Sequence, residues 1–188
     1  MTHIALIRTG STDYDQQGRI AGTLDIPLCH NGAGQVAQLV DALAALPITA
    51  VYSAPDQASV QTANAIATAK NTKPKRLDKL QNLDMGLWQG KLIDDVKQTQ
   101  QKVYKKWQEH PETVCPPEGE TLAEATQRIA PSLKKLIKKG DDSVIALVCP
   151  QPLCSLVRSI LTHENIGDLW AAESDCGSWE LIDTRIPA

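Results

Sequence analysis

The run Ile4-Ala5-Leu6-Ile7, followed at once by Arg8-Thr9-Gly10-Ser11-Thr12, constrains this chain more than any other segment. Four apolar residues in a row, without alternation, read as a buried strand. A basic residue and a glycine directly after them bring a charged group to a turn at the strand's carboxyl end. In open α/β sheets, sites form beyond the carboxyl ends of the strands. Thr9 therefore sits where chemistry is expected, provided the rest of the chain supplies such a sheet.

It does so by alternating short apolar runs with longer amphipathic ones. Gly34 to Leu46 has helical apolar spacing at Val36, Leu39, Val40 and Leu43, and Pro47 stops it. Ile48 to Tyr52 reads as a second strand, and Ser53-Ala54-Pro55-Asp56 as a helix start leading through Val60, Ala63, Ile66 and Ala67. Arg76 and Leu77 are expected as a short edge strand, and Ile93 to Gln108 as a helix with Val96, Val103 and Trp107 inward. Thr121 with Glu124 three residues on matches a capping box, opening a helix to about Lys139. Lys134, Lys135, Lys138 and Lys139 suit its carboxyl end, where cations complement the macrodipole. Gly140-Asp141-Asp142 reads as a turn, Val144 to Cys149 as a buried strand, Pro152 to Thr162 as a helix and Ser178 to Asp183 as a last strand. The alternation predicts an α/β fold, a three-layer α/β/α sandwich with a largely parallel central sheet. No linker divides it, so residues 1–188 are expected to form one domain.

Composition narrows the function classes. The net charge is -3, without the basic excess of a nucleic-acid binder. The apolar stretches are too short for a membrane span, and Met1-Thr2-His3 enters the first strand without a signal-peptide pattern, so a cytoplasmic location is expected. Five cysteines, an odd number without CxxC spacing, read as reduced thiols. His3, His30, His110 and His163 show no metal-ligand spacing, and neither a phosphate loop nor a GxGxxG occurs. No metal and no cofactor are expected.

Several segments in order resemble the histidine phosphatase superfamily, the phosphoglycerate mutase-like proteins. Arg8-Thr9-Gly10-Ser11-Thr12 stands where that family has Arg-His-Gly-x-Thr. Gly18-Arg19, Gly22, Asp25, Pro27-Leu28 and Gly32 follow its next segment, and Tyr52-Ser53 with Gln61-Thr62-Ala63 its second strand and helix. Gly86-Leu87-Trp88-Gln89-Gly90 resembles its Gly-x-Trp-x-Gly loop, Gly119-Glu120-Thr121 with Arg128 its Gly-Glu-Ser helix start, and Val144 to Cys149 the strand that delivers its second histidine. The resemblance implies the family's fold.

It also implies a chemistry. A histidine attacks phosphorus, a second histidine and two arginines hold the phosphoryl oxygens, and an acid protonates the leaving oxygen. Carried over position by position, only Arg8 is kept. The nucleophile is Thr9, the second arginine Ala58, the acid Asn82 and the second histidine Pro150. Each change removes a charge, a nucleophile or a proton, and such groups act as a unit. The expectation is a pseudoenzyme: no phosphoryl transfer, with Arg8, Ser11, Arg19 and Gly22 as the remnant of an anion site. A phosphate-containing small molecule or a protein would be the partner, and neither nucleic acid nor membrane. Two alternatives stand beside it. One is a phosphatase or phosphomutase with a rearranged site using Thr9, Cys149 or Asp84. The other is a scaffold or oligomer subunit, a homodimer for instance.

Overall fold

The computed structural model describes residues 2–139, 143–170 and 175–184. Its elements, in chain order, are β1 (His3–Arg8), α1 (Asp13–Gln17), α2 (His30–Ala42), β2 (Ile48–Ser53), α3 (Gln57–Ala69), β3 (Pro74–Arg76), α4 (Ile93–Thr99), α5 (Gln101–Glu109), α6 (Leu122–Lys139), β4 (Val144–Cys149), α7 (Leu153–Thr162) and β5 (Trp179–Asp183). The strand order is β3-β2-β4-β1-β5. The first four run parallel and β5 pairs antiparallel with β1. The sheet is thus mixed and mostly parallel.

Period-two alternation sorts the strand residues between two cores. Ala5, Ile7, Val51, Ala146 and Val148 face Leu39 and Leu43 near α2 and Ala63, Ile66 and Ala67 of α3. Ile4, Leu6, Tyr52, Ile145 and Leu147 face Ala125, Ile129 and Leu133 of α6 and Leu153, Leu156 and Val157 of α7. Both faces of the parallel strands are covered, which is why they read as continuous apolar runs.

Several boundaries shift, the helix expected over Gly34 to Leu46 being His30–Ala42, and α1 is not among the expected elements. The edge strand is Pro74–Arg76 rather than Arg76-Leu77, although the Leu77 amide still bonds to the Ser53 carbonyl at 2.9 Å. The helix expected over Ile93 to Gln108 is two helices, because Gln100 leaves the helical region with φ -132° and ψ 48°. α1 lacks an apolar stripe and is held by Thr12 and Asp15, which form a capping box. The capping box of Thr121 and Glu124 is present as expected. The turn expected at Gly140-Asp141-Asp142 lies outside the described residues.

Candidate functional site

The parallel register brings three strand ends level. Arg8 pairs with Cys149, and Ser53 with Val148. Beyond them the Thr9 amide donates to the Cys149 carbonyl at 3.2 Å, and the Ala54 amide to the Val148 carbonyl at 2.9 Å. The chain switches direction here, since β4 returns to lie between β1 and β2. Thr9, Pro150 and the start of α3 therefore share one rim. Gly10 and Gly32 let the turn after β1 press against α2: a Cβ on Gly10 would lie 2.5 Å from the Gly32 carbonyl oxygen.

Thr9, Ala58, Asn82 and Pro150, far apart in sequence, all line one recess. Its volume is about 30 Å³, space for a water or two. The four residues of the expected anion remnant are less united. Gly22 lines the recess. Arg8 is buried, and its Nη2 faces Asp15 Oδ1 at 3.5 Å. Ser11 engages α2 instead: its amide donates to Gln35 Oε1 at 2.8 Å, and its hydroxyl meets Cys29 Sγ. Arg19 donates to the Gly90 carbonyl at 2.7 Å and to Gln17 Oε1. None of Arg8, Ser11 and Arg19 is among the residues lining the recess.

Asn82 closes the recess from one side. Its Nδ2 donates to the carbonyls of Gly22 and Gln151, and its Oδ1 accepts from the amides of Leu83 and Leu153. Both donors and both lone pairs of the amide are thereby used. A carboxylic acid in its place could not make both donor bonds.

Amides at the starts of helices are natural anion sites, and here the protein's own side chains fill them. At α7, Leu153 N donates to Asn82 Oδ1 and Ser155 N to Gln151 Oε1. At α3, Gln57 N donates to Asp25 Oδ1 and Ser59 N to Asp56 Oδ1. Asp15, Asp25 and Asp56 line the recess or its mouth. Acidic groups thus stand where the resemblance leads one to expect cations.

Asp56 was read from the sequence only as part of a helix start. Its position directly after a strand end was the available signal. Burial pushes its carboxyl above the usual carboxylate range, against the hydrogen bonding from Ser59, and Asp25 adds to the rise. The other candidate groups are placed less favourably. Cys149 is fully buried, and burial, with Cys154 and Asp56 nearby, pushes its thiol well above the ordinary value. Cys154 is pushed up to about 12, mainly by burial. Asp84 caps its own loop, accepting from the Gly86 amide at 2.9 Å. Trp88 and Trp107 are buried and pack edge to face, 6.0 Å apart, in the core. Among the described residues, no group of three or more His, Cys, Asp or Glu side chains is placed to hold a metal ion. No helix among them is long and apolar enough to cross a membrane.

The family model of the histidine phosphatase superfamily (branch 1) matches residues 4–185. The chain belongs to that superfamily. It is 26% identical over 182 residues to Phosphoserine phosphatase 1 of Hydrogenobacter thermophilus, covering 97% of this chain and 86% of that protein. It is 27% identical over 148 residues to the "Probable phosphoglycerate mutase GpmB" of Enterobacter sp., covering 79% and 69%. Solved phosphatase structures share its fold. A mycobacterial glucosyl-3-phosphoglycerate phosphatase complexed with VO3 superposes with a TM-score of 0.84 at 21% identity, covering 95% of this chain and 91% of that one. A histidine-to-alanine variant of the Entamoeba histolytica phosphoserine phosphatase, in complex with phosphoserine, gives 0.83 at 21%, covering 98% and 92%.

Proposed function

We propose that this chain is a histidine phosphatase superfamily member without phosphohistidine chemistry, retaining its cleft for binding. The observation that carries the reading is the filling of the cleft's donors. Phosphoryl transfer needs preorganised cations and amides aimed at the equatorial oxygens. Here Arg8 faces Asp15, the α3 amides hold Asp25 and Asp56, and the α7 amides hold Asn82 and Gln151. Asp15 and Asp56, the carboxylates that share the recess with Thr9, accept from the Thr12 and Ser59 amides.

A second reading is favoured by the names of the relatives, which are phosphatases and mutases. Under it the chain hydrolyses or isomerises a phosphoric ester with a rearranged site. Of its candidate groups, Cys149 is buried and Asp84 is committed to its loop, which leaves Thr9.

One experiment separates the two. The protein is incubated with phosphoserine, 3-phosphoglycerate and an aryl phosphate, and both phosphate release and a protein-bound phosphoryl group are followed. The first reading expects neither. Turnover that Thr9→Ala or Arg8→Ala abolishes would overturn it and establish the second. The combined variant Thr9→His, Ala58→Arg, Asn82→Glu and Pro150→His serves as the positive control for the backbone.

A further inference from the structure

The two edges of the sheet are built differently. β3 is three residues long, starts on Pro74 and carries the exposed Lys75 and Arg76. Short length, proline and cationic side chains blunt an edge against further pairing. β5 is longer, has no proline, and exposes Trp179 (36%) and Leu181 (47%). These are two of the four large apolar side chains exposed among the described residues, so apolar exposure is concentrated on this strand rather than scattered. Among the described residues, no strand pairs with the outer side of β5.

The ladder with β1 fixes where the main chain of β5 points. The Arg8 amide donates to the Ser178 carbonyl at 3.0 Å, and the Thr184 amide to the Thr2 carbonyl at 3.3 Å. Bonded and unbonded pairs alternate along an antiparallel ladder. Glu180 and Ile182, opposite Leu6 and Ile4, therefore turn their amides and carbonyls toward β1, and Trp179, Leu181 and Asp183 turn theirs outward. Trp179 and Leu181 stand opposite Ile7 and Ala5, so their side chains share the sheet face that α2 covers. The same two residues thus present main-chain groups to the edge and apolar side chains to one face.

We infer that β5 pairs antiparallel with β5 of a second copy of this chain, joining two five-stranded sheets into one. A two-fold contact must be self-complementary, and β5 meets that condition in one register. Leu181 is the middle residue of Trp179–Asp183 and faces outward. With the axis at Leu181, the whole of each strand overlaps the other. Leu181 bonds to the partner's Leu181, and Trp179 to the partner's Asp183, for about six ladder bonds. An axis at Trp179 loses half the overlap, and one at Asp183 sets carboxylate against carboxylate, which is destabilising. An axis at Glu180 or Ile182 has only inward-facing main chain to offer. At Leu181 no charge meets its like. Glu180 stands opposite the partner's Ile182 and is held by Arg158 at 3.1 Å; Asp183 stands opposite the partner's Trp179 and lies 3.8 Å from His3 Nδ1. None of the β5 residues lines the recess or its mouth, so the cleft stays open in the pair and the inference is independent of how the cleft is read.

The test is sedimentation velocity of the full chain over roughly 1–300 µM, the range in which an interface below standard size forms and dissociates. The mean sedimentation coefficient should rise from that of a monomer to that of a dimer. Leu181→Lys sets two ammonium groups against each other at the axis and should leave a folded chain monomeric throughout. A second measurement fixes the register. Leu181→Cys places two thiols where paired Cα atoms lie about 5.5 Å apart, within disulfide reach. Oxidised glutathione should link this variant into a dimer whose bridge maps to position 181 by mass spectrometry. Trp179→Cys holds the two thiols more than about 13 Å apart and should not link to itself. Three results would overturn the inference: a monomer at every concentration, a dimer that Leu181→Lys leaves intact in folded protein, or linkage of Trp179→Cys as complete as that of Leu181→Cys.

Discussion

Two regions match the superfamily's pattern in opposite ways. Beneath the loop at Gly86, the matching residues hold backbone to backbone. Glu120 accepts from Arg128, whose Nη1 also donates to the carbonyls of Lys79 and Gln81, both at 2.9 Å. Glu120 also accepts the Asp84 amide at 3.0 Å, and its own amide returns to the Asp84 carbonyl at 2.9 Å. At the cleft, the positions that the resemblance assigns to phosphate handling are Thr9, Ala58, Asn82 and Pro150, and the amides of Leu153 and Ser155 beside them are satisfied by Asn82 and Gln151. The segments read as matching the family's pattern at Gly86 hold the shape of a loop, and the positions read as departing from it line the cleft. A pattern of the first kind identifies a fold without identifying a reaction.

The sharpest break of that comparison is Gly86→Ala. Gly86 has φ +49°, and an added Cβ would overlap the Pro117 carbonyl oxygen, a backbone atom that cannot rotate away. Left-handed strain and a backbone collision together should destabilise the fold by about 3–5 kcal/mol. For a domain of this length that lowers Tm by roughly 6–20 °C, measurable by thermal unfolding. A loss below about 1 kcal/mol would show that the loop is not a rigid clasp, and the contrast with the cleft would lapse.

Asn82→Ala comes next. It removes two bonds to carbonyls and leaves the buried amides of Leu83 and Leu153 without their acceptor. About 2–4 kcal/mol is expected, because orphaned buried donors cost more than a bond is worth. Denaturant unfolding measures it. A loss near zero would mean that the four bonds of Asn82 hold little of the structure, and the cleft would no longer count as internally stapled.

How much of this was legible beforehand follows the same division. The apolar runs at Ile4 and Val144 are buried on both faces, so burial wrote their pattern directly. The break at Gln100 was hidden, because the backbone leaves the helical region there without a proline or glycine to mark it. The convergence of Thr9, Ala58, Asn82 and Pro150 was visible only through resemblance, since parallel register and crossovers, not local spacing, place them. Arg19 and Ser11 lie outside the recess for a related reason. A motif says which residues stand together in the chain, and their partners, Gly90 and Gln35, lie 71 and 24 residues away. Asp56 was missed as a cleft residue because a helix cap and a cleft-lining carboxylate are the same residue type at the same place.

The smallest effect discriminates most finely. Asp56→Asn keeps the cap on α3, since Asn and Asp cap comparably. It removes a carboxyl that burial holds above its ordinary value. A carboxyl raised in the folded state binds more protons there than in the unfolded chain, so native stability falls as pH rises from the unfolded value through the folded one. The asparagine variant has no such loss. It should match the parent at acidic pH, below the unfolded value, and exceed it at neutral pH by on the order of 1 kcal/mol or less. Unfolding measured at several pH values reads this out. A variant less stable than the parent at neutral pH would mean that the charge of Asp56 is compensated inside the protein already.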